Sequence, residues 1–338
     1  MNHLTSSCGL FALALVCAVP LLAASARGPA QRKISVAVVK NDSDGPKYMA
    51  EGGLVPLLEK LGCEMRGLET VALSKEEQAE YGAWNRDALE SWHIGALVSK
   101  CRQGDGLVLG LLTNCTDLLG MLAGLQHLQP AGNQPGAGKK GERREGLAGL
   151  KPLRVGLLYF DAHADFNTPE TTLSGMLGGM DVAVAAGMCL TRLRLKTGLD
   201  PALPTRYVVF GGLRDVDPLE RELLDRSECQ FLSVEDIRSH PGAIDEQIRR
   251  LSRLTDVIYV HVDMDVLDPA EVSGHPLTAP EGPTSVELAS AIRRIFASPK
   301  AAALGIASIP FGARDKEGLS LRAAYRLIEA SVAGVKSR

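Results

Sequence analysis

Arg154-Val-Gly-Leu-Leu-Tyr-Phe160 runs without a break into Asp161-Ala-His163-Ala-Asp165, and the same design returns where Asp256-Val-Ile-Tyr-Val260 leads into His261-Val-Asp263-Met-Asp265. Each apolar run reads as a buried strand ending in a carboxylate-rich tip. Side chains alternate along a strand, so positions i, i+2 and i+4 share a face. Asp161, His163 and Asp165 therefore converge if the strand geometry persists, and so do Asp263 and Asp265. Four carboxylates gathered at the end of a buried sheet repel one another and lose their water, which protonates them unless a cation sits among them. Oxygen donors with one imidazole suit a hard or borderline divalent ion such as Mn2+. They are too many for one small cation and a reasonable number for two that share bridging carboxylates. Paired metals turn bound water into a nucleophile and clamp a transition state. The plainer reading makes these acids caps and turn residues at strand ends, where Asp is common. It requires two such tips on separate strands to be coincidences.

Outward from the tips, apolar runs alternate with amphipathic stretches. Strands are expected at residues 34–39, 107–112, 154–160, 207–211, 257–262 and 303–309. Helices are expected at 54–61, 86–102, 243–253, 285–297 and 319–333. That alternation predicts an α/β fold, a central parallel sheet covered on both faces. Ligands of such sheets bind outside the carboxyl ends of the strands, where both acidic tips fall. The 338-residue length is compatible with a single unit, and 45% hydrophobic with only 4% aromatic residues predicts a large aliphatic core. There is no internal repeat. Residues 130–149, rich in Gly, Pro, Lys and Arg, read as a mobile surface insertion.

The beginning of the chain differs in kind. Residues 10–24 are apolar and lead to Ala24-Ser25-Ala26, an A-x-A cleavage pattern. Residues 1–26 thus read as a secretory signal peptide, too short for a comfortable membrane span. A mature domain of 27–338 follows, secreted or periplasmic, with no stable membrane insertion. No Lys or Arg precedes the apolar run, so an uncleaved anchor and a misassigned start stay open. Past that point five cysteines remain (Cys63, Cys101, Cys115, Cys189 and Cys229), an odd and widely spaced set. It is no disulfide framework. The net charge of −3 with mixed signs leaves no basic footprint for nucleic acid.

The run from Asp161 to Gly175, with Asn167 and Ser174 inside it, resembles a signature of the ureohydrolase (arginase/agmatinase) family, and most closely that of arginases. His261-Val-Asp-Met-Asp-Val-Leu-Asp-Pro269 resembles the family's second metal-binding signature. Gly211-Gly-Leu-Arg-Asp-Val-Asp-Pro-Leu-Glu220 is similar to the segment that grips the amino-acid end of the substrate. The resemblance implies a three-layer α/β/α fold and two divalent metal ions, Mn2+ first. It also implies hydrolysis of a guanidino group by a hydroxide bridging the metals, L-arginine giving L-ornithine and urea. By the same resemblance Asp161 and Asp263 bridge the metals, Asp165 completes one metal's shell and orients the nucleophile, and His163 and Asp265 complete the other's. Glu287 matches the acid that pairs with the guanidinium, although a first-turn Glu also suits a helix dipole. Asn167 and Ser174 match residues that bind the α-carboxylate. Asp217 and Glu220 match those near the α-amino group, although Asp217-Pro218 also reads as a helix N-cap with Pro at the first helical position. The family commonly forms trimers or hexamers, so a homo-oligomer is expected.

Two positions depart from the family. Its Gly-Gly-Asp-His-Ser motif carries a metal-binding His, and the matching Leu112-Thr-Asn-Cys-Thr116 has Cys115 there. As a ligand, Cys115 shifts preference toward Zn2+ or Fe2+; as a buried core thiol, it leaves one metal weakly held. The family's His-Gly-Met supplies a proton-shuttling His, and this chain reads Gly178-Gly179-Met180. Turnover is therefore expected to be slow. Agmatine, guanidinobutyrate or formimino compounds are the alternative substrates, and a metal-binding, non-catalytic arginine-binding protein is the alternative from another class.

Overall fold

The computed structural model describes residues 33–102, 106–127 and 151–338. The proposed signal peptide and the insertion at 130–149 lie outside them. The aliphatic runs pair as one all-parallel sheet of eight strands: β1 (Ile34–Asn41), β2 (Cys63–Val71), β3 (Leu107–Leu111), β4 (Val155–Phe160), β5 (Val208–Gly211), β6 (Gln230–Leu232), β7 (Val257–Asp263) and β8 (Ala301–Ala307). Their spatial order is β2-β1-β3-β8-β7-β4-β5-β6, and the described residues belong to one compact unit.

All six expected strands are present. The two that the apolar pattern did not mark, β2 and β6, are the outermost ones. β2 alternates half-buried and exposed residues from Cys63 to Thr70 before the buried Val71, and β6 is three residues long. A sheet edge buries less of each strand, so the hydrophobic signal fades there.

Alternation along the inner strands feeds two separate cores. In β4, Leu158 and Phe160 join a core under the helices Ser285–Phe296 and Leu319–Lys336, where Ile292 and Leu327 pack. Leu157 and Tyr159 face the opposite core, shared with Ile94 and Val98 of the helix Ala83–Cys101 and Leu122 of the helix Leu118–Gln126. That makes three layers, helix–sheet–helix, as expected. The helix Leu118–Gln126 gives no periodic signal in the sequence because every residue in it is buried, so it has no polar face to produce a 3.6-residue period. It lies against Ala83–Cys101 closely enough that a Cβ on Gly124 would stand 2.6 Å from the Gly95 carbonyl oxygen, and one on Gly120 would strike the Ser91 carbonyl. Glycine is required for that approach. Among the described residues no helix is long and apolar enough to cross a membrane, and all five cysteines are free.

Candidate metal centre

Four adjacent strands, β3-β8-β7-β4, form the middle of the sheet, and their carboxyl ends carry the site. The β4–β7 register pairs Phe160 with Val262, so the next residues, Asp161 and Asp263, leave the sheet side by side. Continued strand geometry does not bring the rest of each tip in, contrary to the expectation from alternation. β4 ends at Phe160, and β7 ends at Asp263 in a 3-10 turn, Met264–Val266. Each tip instead closes an Asx turn. Asp161 Oδ1 accepts the His163 N–H at 2.7 Å, and Asp263 Oδ1 accepts the Asp265 N–H at 2.9 Å. The turn reading therefore holds, and it is compatible with the ligand reading. The first Asp of each tip uses one oxygen to fold the chain back, which carries the residue two further on to the same place.

Asp165 sits in the left-handed region at φ 47°, as does Ser308 after β8 at φ 60°. Such backbone in non-glycine residues is held only where its surroundings over-determine it. The Asp165 carboxylate accepts from the buried Tyr159 hydroxyl, and its carbonyl accepts the Val182 N–H at 3.0 Å. Cys115 arrives on a short 3-10 turn after β3, braced by Asn114 Oδ1 accepting the Thr116 N–H at 2.9 Å and Asp117 Oδ2 accepting the Thr113 N–H at 2.8 Å. Its Sγ donates to Asp263 Oδ2 at 2.6 Å. Ser308 Oγ stands 3.9 Å from the same sulfur.

Donor atoms within 4.8 Å of one another form four overlapping groups: Cys115, Asp161 and Asp263; Cys115, Asp165 and Asp181; Asp161, His163 and Asp265; Asp263, Asp265 and His275. All six expected ligands appear among them. His163 Nδ1 stands 3.3 Å from Asp161 and 3.2 Å from Asp265, with its Nε2 3.7 Å from Asp215. Burial, then the charges of Asp265, Asp165 and Asp263, hold Asp161 well above the usual carboxylate range. Burial pushes Asp165 up to about 8. At His163 burial disfavours the cation, but the Asp265 hydrogen bond and charge outweigh it and raise the imidazole to about 9. Acids this crowded ionise together only where positive charge is supplied among them. The donor set, carboxylates with imidazole and one thiol, suits divalent ions.

The expected substrate residues behave unevenly. Asn167 Nδ2 donates to Asp217 Oδ2 at 3.1 Å, so these two meet beside the first tip. Asp217 is also the N-cap of the helix Pro218–Asp225. Glu220 is buried and already committed, accepting the Phe166 N–H at 2.7 Å on one oxygen and the Asp217 N–H at 3.2 Å on the other. It ties the first tip's loop to that helix. Ser174 is exposed, its Oγ accepting the Met176 N–H at 3.2 Å. Glu287 closes a capping box with Thr284, and Oε2 lies 3.6 Å from Arg238 Nε.

Three participants carried little signal in the sequence. His275, alone in a loop, brings Nε2 to 3.7 Å from Asp263 and Nδ1 to 3.9 Å from Asp265. Asp181 opens a short helix of buried residues. Arg214 lies within the quoted Gly211–Glu220 block, yet its role is visible only in three dimensions. It donates to the carbonyls of Pro280 at 2.8 Å and of Asp265 and Ala279 at 3.0 Å, stitching the second tip to the loop after it.

A parallel sheet carrying two carboxylate tips and a thiol at its central carboxyl ends defines an α/β protein with a candidate metal centre. Residues 145–330 match the arginase family, and the chain belongs to it, as a ureohydrolase. The arginase of Brevibacillus brevis is 35% identical over 122 residues, which spans 36% of this chain and only 41% of that relative. The arginase of Entamoeba histolytica is 28% identical over 258 residues, 75% of this chain and 77% of the relative. In fold the chain is similar to the crystal structure of arginase from Bacillus subtilis, with a TM-score of 0.73 and 21% identity over 88% of this chain and 98% of that one.

Proposed function

We propose that this ureohydrolase hydrolyses the guanidino group of L-arginine to L-ornithine and urea. The observation that carries the reading is the meeting of Asp161, His163 and Asp265 on one side and Cys115, Asp161 and Asp263 on the other. Two divalent ions, Mn2+ or, under the pull of the Cys115 thiol, Zn2+ or Fe2+, supply an activated water when bound. Asp161 is common to both groups, and Asp263 neighbours Asp265 and His275 as well as Cys115, so these two carboxylates would be the ones shared between the two metal positions. Asp165, braced by Tyr159, is placed to accept a proton from the attacking water. Glu287 is the acid that pairs with the guanidinium, using the oxygen that its capping box leaves over. Asn167 and Asp217 take the amino-acid end of the substrate, with Ser174 at the rim and Glu220 fixing Asp217 from behind. A substrate lacking that end would leave the Asn167–Asp217 pair without its ligand, which favours arginine over agmatine, guanidinobutyrate or formimino compounds. Gly178 offers no acid or base for the leaving amine, so turnover is slow. We further propose that the chain is exported and works as a homo-oligomer.

Urea release from a panel of guanidino and formimino compounds, with metal content measured on the same sample, tests the assignment. Arginine is expected to lead agmatine by several kcal/mol in transition-state binding, on the order set by a hydrogen-bonded end group. Metal-loaded, folded protein that hydrolyses agmatine or a formimino compound and leaves arginine untouched overturns the choice of substrate. Protein that retains metal and arginine but turns over nothing supports a binding role instead.

A further inference from the structure

Asp181 opens the helix Asp181–Ala185, three residues beyond Gly178, and its side chain is fully enclosed. Neither carboxylate oxygen has a hydrogen-bond partner. The Val182 N–H is near enough to draw its carboxyl down somewhat, but its bond at 3.0 Å goes to the Asp165 carbonyl. A buried carboxylate in this condition is disfavoured as an anion, because it has surrendered water and gained little in return. The groups around it make matters worse. The charges felt at Asp181 come from Asp165, Asp263 and Asp117, all acids, and burial with these neighbours drives its carboxyl far above the usual range. The helix has only five residues, too short for its dipole to compensate.

One arrangement resolves the conflict. An oxygen of Asp181 lies within 4.8 Å of both Cys115 Sγ and an oxygen of Asp165, which lie equally close to each other. Three donors with that mutual spacing can face one cation, and a cation is what an unpartnered carboxylate among acids lacks. We propose that Asp181 is a ligand of the metal ion held by Cys115 and Asp165. The inference rests on the reading of this site as a metal centre and adds to it a donor outside the two signature tips. Where a thiol stands in place of the family's imidazole, Asp181 supplies a second anionic donor beside it. That side of the centre thereby becomes a thiolate–carboxylate site suited to Zn2+, Fe2+ or Co2+.

The test uses the full mature chain and its Asp181→Asn and Asp181→Ala variants, each loaded with Zn2+ or with Co2+. Bound equivalents, affinity by chelator competition and the Co2+ spectrum are recorded. A thiolate-to-Co2+ charge-transfer band reports the Cys115 side alone. Two equivalents are expected in the wild type. Both variants should lose one of them by a factor on the order of tenfold or more in affinity, with a shifted or absent thiolate band and the other equivalent retained. Metal-free Asp181→Asn should unfold at the same or a higher denaturant concentration than metal-free wild type, since an unpaired buried acid has gone. Variants that keep both equivalents with wild-type affinity and spectrum overturn the proposal alone. A metal-free Asp181→Asn that is less stable and binds neither ion assigns Asp181 a structural role and also overturns it. A wild type that binds no divalent ion removes the metal centre itself, and this inference with it.

Discussion

Cys115 and Asp263 stand 148 positions apart in the chain and meet side chain to side chain, Sγ to Oδ2, at 2.6 Å. They meet because β3 and β7 flank β8 in the middle of the sheet, so the turns at their carboxyl ends open onto one space. Asp263 thereby belongs to two of the four donor groups of the centre. It lies with Cys115 and Asp161 in one group of donors and with Asp265 and His275 in another.

In the proposed dinuclear reading, Asp263→Ala removes a carboxylate that both metal positions would share. Bound metal should fall from two equivalents to below one, and urea release should disappear with it. Elemental analysis of protein prepared with Mn2+ present checks this, and unchanged stoichiometry would sink the dinuclear reading.

Cys115 offers a sharper handle on metal choice. Burial first, then Asp263 and Asp165, push its thiol well above its ordinary range, so only a cation makes it a thiolate here. Cys115→Ser should lower Zn2+ affinity on the order of tenfold or more, whereas Cys115→His should raise Mn2+ affinity relative to Zn2+. Titration of both metals against both variants decides it, and two unaltered isotherms would show that the sulfur only packs.

Gly178 has room for a side chain. Nothing lies within 4 Å of a Cβ built there, and its φ is not in the left-handed region that would strain a larger residue. Gly178→His should therefore fold, load metal normally and raise kcat for arginine by about the 10²–10⁴ that a positioned acid–base group contributes. A well-loaded variant with wild-type kcat would show that proton transfer at this position does not limit turnover.

Away from the centre, Gly120→Ala places a methyl group against the Ser91 carbonyl at the crossing of two helices. The expected cost is about 1–3 kcal/mol from overpacking, read as a lower denaturant midpoint with an unchanged slope. A midpoint equal to wild type would mean that the helices separate freely there.

Arg154 and Asp256 brace the start of β4 against the start of β7, at 2.7 Å between Nη2 and Oδ1. The hydrogen bond from Arg154 holds the Asp256 carboxyl down at about 2. A depressed folded-state value means that the pair stabilises the fold above the unfolded pKa of roughly 4, and that this contribution is lost as pH falls from there toward 2. Both side chains are more than a third exposed, so solvent screening limits the effect to about 1 kcal/mol or less. Asp256→Asn should be slightly less stable than wild type at pH 6, and the gap should close by about pH 2. A gap that grows on acidification would reverse the assigned sign.

The amino-acid order alone determined the layered α/β architecture, the six inner strands and the two acidic tips. Those elements are buried on both faces or end abruptly in charge, and both conditions leave continuous, local signals. It also flagged Cys115 and Gly178, because each stands inside a recognisable motif. The outer strands β2 and β6 and the fully buried helix Leu118–Gln126 left no such trace, since a half-exposed edge and a helix without a polar face lack the expected periods. The tertiary structure alone decided how the tips are shaped, through Asx turns at Asp161 and Asp263 that replace strand alternation. It also decided that Glu220 is a buried clamp, and that His275 and Asp181 reach the centre. A lone histidine in a loop and an aspartate in a short helix have no pattern of their own. Their meaning comes from the strand order, which places residues distant in sequence at one end of one sheet, where the neighbouring charges decide what each side chain can do.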